Sequence, residues 1–189
     1  MSKYPNRGRQ GMPGKVIHRL PTSYAHDPQT GKLAVYDEAA GGTWSRPQVF
    51  PSGGDGLVST ADDYTAFQRM LLNKGACDGG RILPRASVEL MTTDHLTPER
   101  RLGKDAFFGS AGGAGFGTRD GFGMAVRARR RDLPSVGRFG WDGGLGPSAY
   151  ADPAQGLTGV PLTQAAMDSP DCLHLAQDFR ATAYRSIDD

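Results

Sequence analysis

The chain holds few residues of a kind that could do covalent chemistry, and they are scattered. Four histidines (His18, His26, His95, His174) and two cysteines (Cys77, Cys172) lie far apart. None stands at the spacing of a metal site, and two cysteines build neither a disulfide framework nor a Cys-x-x-Cys pair. We expect no metal, no cofactor, and thiols at buried or half-buried positions, as is usual for free cysteine. Asp94-His95 has the right types for a triad with a serine, but nothing nearby in sequence would orient the ring. Ser52, Ser110 and Ser148 lie outside any Gly-x-Ser-x-Gly elbow.

Residues 139–164 read differently. An apolar approach reaches Gly140-Trp141, and Asp142-Gly143-Gly144 then leaves backbone bare. Glycines within a strand pattern mark a bulge or a place where something comes close to the backbone. Taken alone, Trp141 beside such glycines fits a structural bulge as readily as a substrate wall.

The elements that would carry this stretch are legible in part. Ser59 or Thr60 can cap a helix whose first turn holds Asp62 and Asp63; Tyr64, Phe67, Met70 and Leu71 recur at helical spacing. Asn73-Lys74-Gly75 is a stop, so a helix is predicted over 60–74. Pro84, at a favoured first position, opens a second helix to about 91 or 92. Strands are predicted at 32–36, 122–130, 136–141, 148–151 and 157–164, with turns at 26–31, 131–135 and 152–156. Leu173, Ala176, Phe179, Ala183 and Tyr184 share one face of a closing helix over 172–186. Lys15 to Tyr24 allows one helical turn, stopped by Pro21. The fold class is therefore α+β, an antiparallel meander of about three strands packed by a C-terminal helix, plus a helical and loop-rich segment. Residues 1–14 read as a disordered or remnant start, 15–121 as the helical and loop segment, and 122–189 as the strands and closing helix.

Composition bounds the function classes. Of 189 residues, 38% are apolar and 22% charged, with 27 glycines and 13 prolines, which implies many turns. The net charge of +2 steers the chain towards neither nucleic acid nor a membrane surface. Arg127, Arg129, Arg130 and Arg131 fall at a predicted hairpin tip, where arginines blunt a strand end, and no aromatic platform accompanies them. The glycine tract at 109–117 lacks dinucleotide-loop spacing. With no run of about 18 apolar residues and no leader-like start, the expected compartment is the cytoplasm.

Four stretches together resemble the C-terminal half of the serine β-lactamase-like family, which includes class C β-lactamases, penicillin-binding proteins and esterases. They are 50–73 (FPSGGDGLVSTADDYTAFQRMLLN), 81–96 (RILPRASVELMTTDHL), 139–164 (FGWDGGLGPSAYADPAQGLTGVPLTQ) and 178–189 (DFRATAYRSIDD). The resemblance implies an incomplete β-lactamase-like fold and amide or ester hydrolysis by an acyl-enzyme route in complete relatives. It places Trp141-Asp142-Gly143 at the family's cleft strand, usually Lys-Thr-Gly or a Trp-x-Gly relative, with Gly144 offering one oxyanion N–H. Trp141, Asp142, Gly143 and Gly144 are thus the expected substrate-binding residues. The departures weigh as much. No serine is followed three residues on by lysine, so no catalytic residue is assigned and the chain is expected to be inactive alone. Tyr4-Pro5-Asn6 spells the family's Tyr-x-Asn but lies in the irregular start. Asp55 and Pro147 replace the glycine and small hydroxyl residue usual in relatives. The family sheet continues beyond 157–164, so that edge is expected to lack a neighbour, which predicts a homo-oligomer or a complementing N-terminal half. The alternatives are a non-catalytic module for small acyl or peptide ligands, or a truncated remnant.

Overall fold

The computed structural model describes residues 9–10, 14–50, 52, 54, 56–97, 119–120, 122–128, 130, 132–168 and 174–187. Tyr4-Pro5-Asn6, Asp55, Arg129, Arg131, Cys172 and the glycine tract at 109–117 lie outside them. Strand β1 (Arg9–Gln10) pairs antiparallel with β4 (Leu57–Val58), within the stretch predicted to be an irregular start. A 3-10 helix (Gly14–Arg19) replaces the predicted turn of helix. After Pro21 come β2 (Ser23–His26) and β3 (Leu33–Asp37), an antiparallel hairpin. Its turn is closed by Asp27, whose Oδ1 accepts from the N–H groups of Gln29 (2.7 Å) and Thr30 (3.0 Å), as an Asx turn does. These bonds hold the Asp27 carboxyl below its ordinary range.

Helix α1 (Ala61–Leu72) begins where its cap predicts, with Thr60 Oγ1 accepting from the Asp63 N–H at 3.1 Å. Its buried face differs from the prediction in one turn. Gln68, Met70 and Leu71 are buried, whereas Phe67 is 42% exposed and only meets Tyr64 edgewise. The inward stripe is set by the sheet below, not by side-chain polarity alone. A short hairpin, β5 (Ala76–Cys77) and β6 (Gly80–Arg81), follows. Cys77 on it is exposed, correcting the expectation of a covered thiol. Helix α2 (Arg85–Met91) starts one residue later than predicted, because Pro84 is extended (ψ 144°) and serves as the cap.

The remaining strands form one antiparallel sheet of five: β7 (Arg119–Asp120), β8 (Ala125–Val126), β9 (Phe139–Asp142), β10 (Ser148–Asp152) and β11 (Leu157–Gly159), adjacent in chain order. It is a meander, two strands wider than the three expected. The predicted strand 122–130 pairs only over Ala125–Val126. Beyond it Arg127 is buried and bound to Asp132 at 2.6 Å rather than blunting an exposed tip. The predicted strand 157–164 keeps ladder pairing to Gly159; Pro161 has no N–H to continue it, though its carbonyl still accepts from Ser148 N–H at 3.0 Å.

Alternation divides the sheet into two faces. Phe139, Ala151 and Val126 point one way, against Met70 and Leu71 of α1 and Val88 of α2, and form the apolar core. Asp142, Ser148, Tyr150 and Asp152 point the other way. There α3 (His174–Arg185) covers them, bringing Phe179 against Gly159 and the Tyr184 hydroxyl onto Asp152 Oδ2 at 2.6 Å. All five residues of β10 are buried, as expected for a strand covered on both faces. Among the described residues no helix is long and apolar enough to cross a membrane.

Candidate functional site

The end of β9 and the loop that follows it carry the four residues expected to bind substrate, but do not present them alike. Trp141 shares its sheet face with Phe139 yet lies at the end of the core, 44% exposed. Asp142 projects to the opposite face and is 5% exposed. Its Oδ1 accepts from Ser148 Oγ at 2.6 Å and its Oδ2 from the Tyr150 hydroxyl at 2.8 Å. Arg180 Nη1 lies 3.5 Å from Oδ1, an ion pair at a distance too long for a good hydrogen bond. With its oxygens so engaged, the Asp142 carboxylate acts as a fastener between sheet and α3.

Gly143 and Gly144 also part company. The Gly143 N–H donates to Pro147 O at 2.7 Å, and Gly146 N–H to Gly143 O at 2.9 Å, so the loop is a closed turn. A Cβ at Gly143 would meet Pro147 O at 3.3 Å, whereas one at Gly144 would meet nothing within 4 Å. Among the described residues nothing accepts the Gly144 N–H, while its carbonyl accepts from Met167 N–H at 2.9 Å. The Gly144 donor therefore stands open, on a backbone fixed from its other side.

Two glycines are required by this geometry. Gly140 has φ +153°, and a Cβ there would lie 2.1 Å from Ala149 O on the neighbouring strand. Gly146 has φ +95°, and its Cβ would lie 2.1 Å from Thr163 Oγ1. Any side chain at Gly146 would push the loop off the segment that supports it.

That segment, residues 163–168, is the part of the site that sequence did not disclose. Tyr24 N–H donates to Gln164 O and Ala166 N–H to Tyr24 O, each at 2.7 Å, so β2 covers the outer edge here, although among the described residues no strand pairs with the outer side of Leu157–Gly159. One residue past Met167, Asp168 accepts from the His26 backbone N–H and lies 2.9 Å from His26 Nδ1. The His26 contacts hold the Asp168 carboxyl below its usual range. This pair spans 142 positions of sequence, and a lone His and a lone Asp so far apart carry no local signal. His95, considered for a triad, stacks on Phe122 at 4.3 Å with Nε2 on Leu90 O at 2.7 Å.

Chemically, the loop offers one uncommitted backbone donor beside an exposed indole. Ser148 is no accessible nucleophile, being 3% exposed and bonded to Asp142. Burial first, and then the Asp142 carboxylate, push the Tyr150 phenol up, so it keeps its proton and donates it. Among the described residues no group of three His, Cys, Asp or Glu side chains could hold a metal.

Comparison with known proteins agrees with this architecture. The sequence profile described as Beta-lactamase matches residues 16–181. Two proteins of Mycobacterium tuberculosis, the uncharacterized protein MT1414 (strain CDC 1551 / Oshkosh) and protein Rv1367c (strain ATCC 25618 / H37Rv), are each 40% identical over 130 residues. The match covers 65% of this chain and 31% of theirs. Among solved structures, unliganded simvastatin synthase (LovD) from Aspergillus terreus superposes with a TM-score of 0.73 at 20% identity, over 93% of this chain and 44% of that one. EstCE1, described as a hydrolase with promiscuous acyltransferase activity, gives 0.60 at 24% identity, over 86% and 43%. The chain thus spans under a third of the curated relatives and under half of these solved structures.

Proposed function

The chain belongs to the beta-lactamase family, and from that premise we propose that these 189 residues supply one wall of a serine acyl-transfer cleft without turning over substrate by themselves. The observation that carries the reading is the open Gly144 N–H beside the exposed Trp141 ring, on a turn anchored by Gly146 and Met167. A tetrahedral oxyanion needs a donor already in place, because reorienting one during reaction would cost part of its stabilisation. A hydroxyl also needs a neighbouring base, and the chain contains no Ser-x-x-Lys. In this reading nucleophile and base come from other polypeptide, a complementing N-terminal portion that pairs with the outer Leu157–Gly159 edge; a second copy at that edge would give a homo-oligomer instead. The reaction class is amide or ester cleavage or acyl transfer on a small acyl or peptide-like substrate.

Purified chain assayed on a chromogenic cephalosporin and a short-chain nitrophenyl ester should show no turnover above buffer. Adding a polypeptide that carries a Ser-x-x-Lys helix should produce hydrolysis, weakened by Trp141→Ala. Saturable hydrolysis by the chain alone would overturn the proposal. The half-exposed indole also favours a second reading, a binding module for the same ligand class; calorimetric binding of a small acyl ligand, lost in Trp141→Ala while complementation yields no activity, would select it.

A further inference from the structure

The face of the sheet beneath α3 contains a buried charge that no hydrogen bond engages among the described residues. Arg138 is 1% exposed, and its Nε, Nη1 and Nη2 have no hydrogen-bond partner among the described residues. Its guanidinium carbon lies 4.1 Å from the centroid of the Tyr150 ring, and that of Arg180 lies 5.3 Å from the same centroid. Between these groups is a cavity of about 20 Å³, lined by Arg138, Tyr150, Arg180 and Tyr184 and by apolar residues such as Leu157 and Phe179.

The two nearby carboxylates do not satisfy Arg138. Asp142 accepts from Ser148 and Tyr150 and faces Arg180. Asp152 accepts from Tyr184 and from the N–H groups of Ser135 (2.9 Å) and Ala154 (3.0 Å). A guanidinium has donors only, and it stays charged when buried. Leaving such an ion uncompensated is among the costliest arrangements a protein interior can hold. A cation–π contact with Tyr150 offsets part of that cost but engages none of the N–H groups. One water would accept two of them and bring no charge. The cavity admits a particle of about one water's size, which a halide approaches.

We propose that a monatomic anion, with chloride the abundant one, occupies this cavity and bonds Arg138 with support from Arg180. The site lies on the face of β9 and β10 opposite to the one that carries Trp141. Its role is to tie α3 to the sheet, so halide and α3 docking are linked.

The test uses the full chain at fixed ionic strength, with sodium gluconate replaced stepwise by chloride or bromide. Both halides should raise the unfolding midpoint saturably, by about 2–4 °C for a chain of this length. Arg138→Met should abolish the rise. Arg180→Gln, which keeps Arg138, should raise the half-saturating halide concentration about tenfold. Bromide in crystals of the unaltered chain should give an anomalous peak within hydrogen-bond reach of Arg138, a readout that survives if Arg138→Met fails to fold. Equal midpoints in all three salts, an undiminished rise in Arg138→Met, or a cavity holding water with no anomalous peak would each overturn the proposal.

Discussion

The two faces of β9 and β10 are built from alternate residues of the same short strands, yet they are held by different physics. Towards α1 and α2 the contacts are apolar: Leu71, Val88, Phe139 and Ala151 are each 2% exposed or less. Towards α3 the buried residues are Asp142, Ser148, Tyr150, Asp152 and Arg138, joined by short hydrogen bonds and stacked cations. The apolar face tolerates imprecision, because dispersion and burial are non-directional. The polar face does not, because each group left without its partner bears a full desolvation cost. The open end of the apolar face is where Trp141 emerges, and the precise side fixes the backbone that carries it.

The sharpest test of this contrast is Asp142→Ala, which strands the Ser148 and Tyr150 hydroxyls and the Arg180 charge together. It should cost about 3–5 kcal/mol in urea unfolding. On the other face Leu71→Ala, which opens a cavity beneath the sheet, should cost about 3 kcal/mol. If Leu71→Ala proved the more damaging, the polar face would be ornament and the contrast would fail. A third measurement separates the faces by pH. Burial keeps the phenols of Tyr150 and Tyr184 protonated well above their ordinary value of 10. Below about pH 10 both folded and unfolded chains hold these protons, so the stabilisation is complete. Above it the unfolded chain releases them while the folded chain cannot, and stability should fall with rising pH. Tyr184→Phe should flatten that alkaline slope, whereas Leu71→Ala should lower the whole curve in parallel. The smallest effect is expected for Trp141→Ala, about 1 kcal/mol or less in stability because the ring is 44% exposed. Its effect should appear in ligand affinity.

The apolar half of this picture was legible in sequence and the polar half was not. Helix α1 announces itself through Thr60, Asp62 and Asp63, whose effects act within one turn, and β10 through a short run that ends at the turn Asp152-Pro153. By contrast, composition assigns Asp142 and Arg138 to solvent by default, and only the register of β9 against β10 and the placement of α3 bring them inside; Arg127 comes in by pairing with Arg138 O and Asp132. The same holds for Gln68, buried at 2% in place of Phe67. Two-residue strands such as β7 have no pattern of their own and exist only through their partners. Tyr24 against residues 164–166 is of this kind too.

That last contact orders events during folding. The β2–β3 hairpin can close on its own residues, whereas its docking partner near Asp168 lies 142 positions further along the chain. Loop closure over such a span is slow compared with forming the hairpin itself. The backing of the β9–β10 turn is therefore completed after the hairpin has formed, and Leu33, Val35 and Tyr36 stay bare even with the contact made.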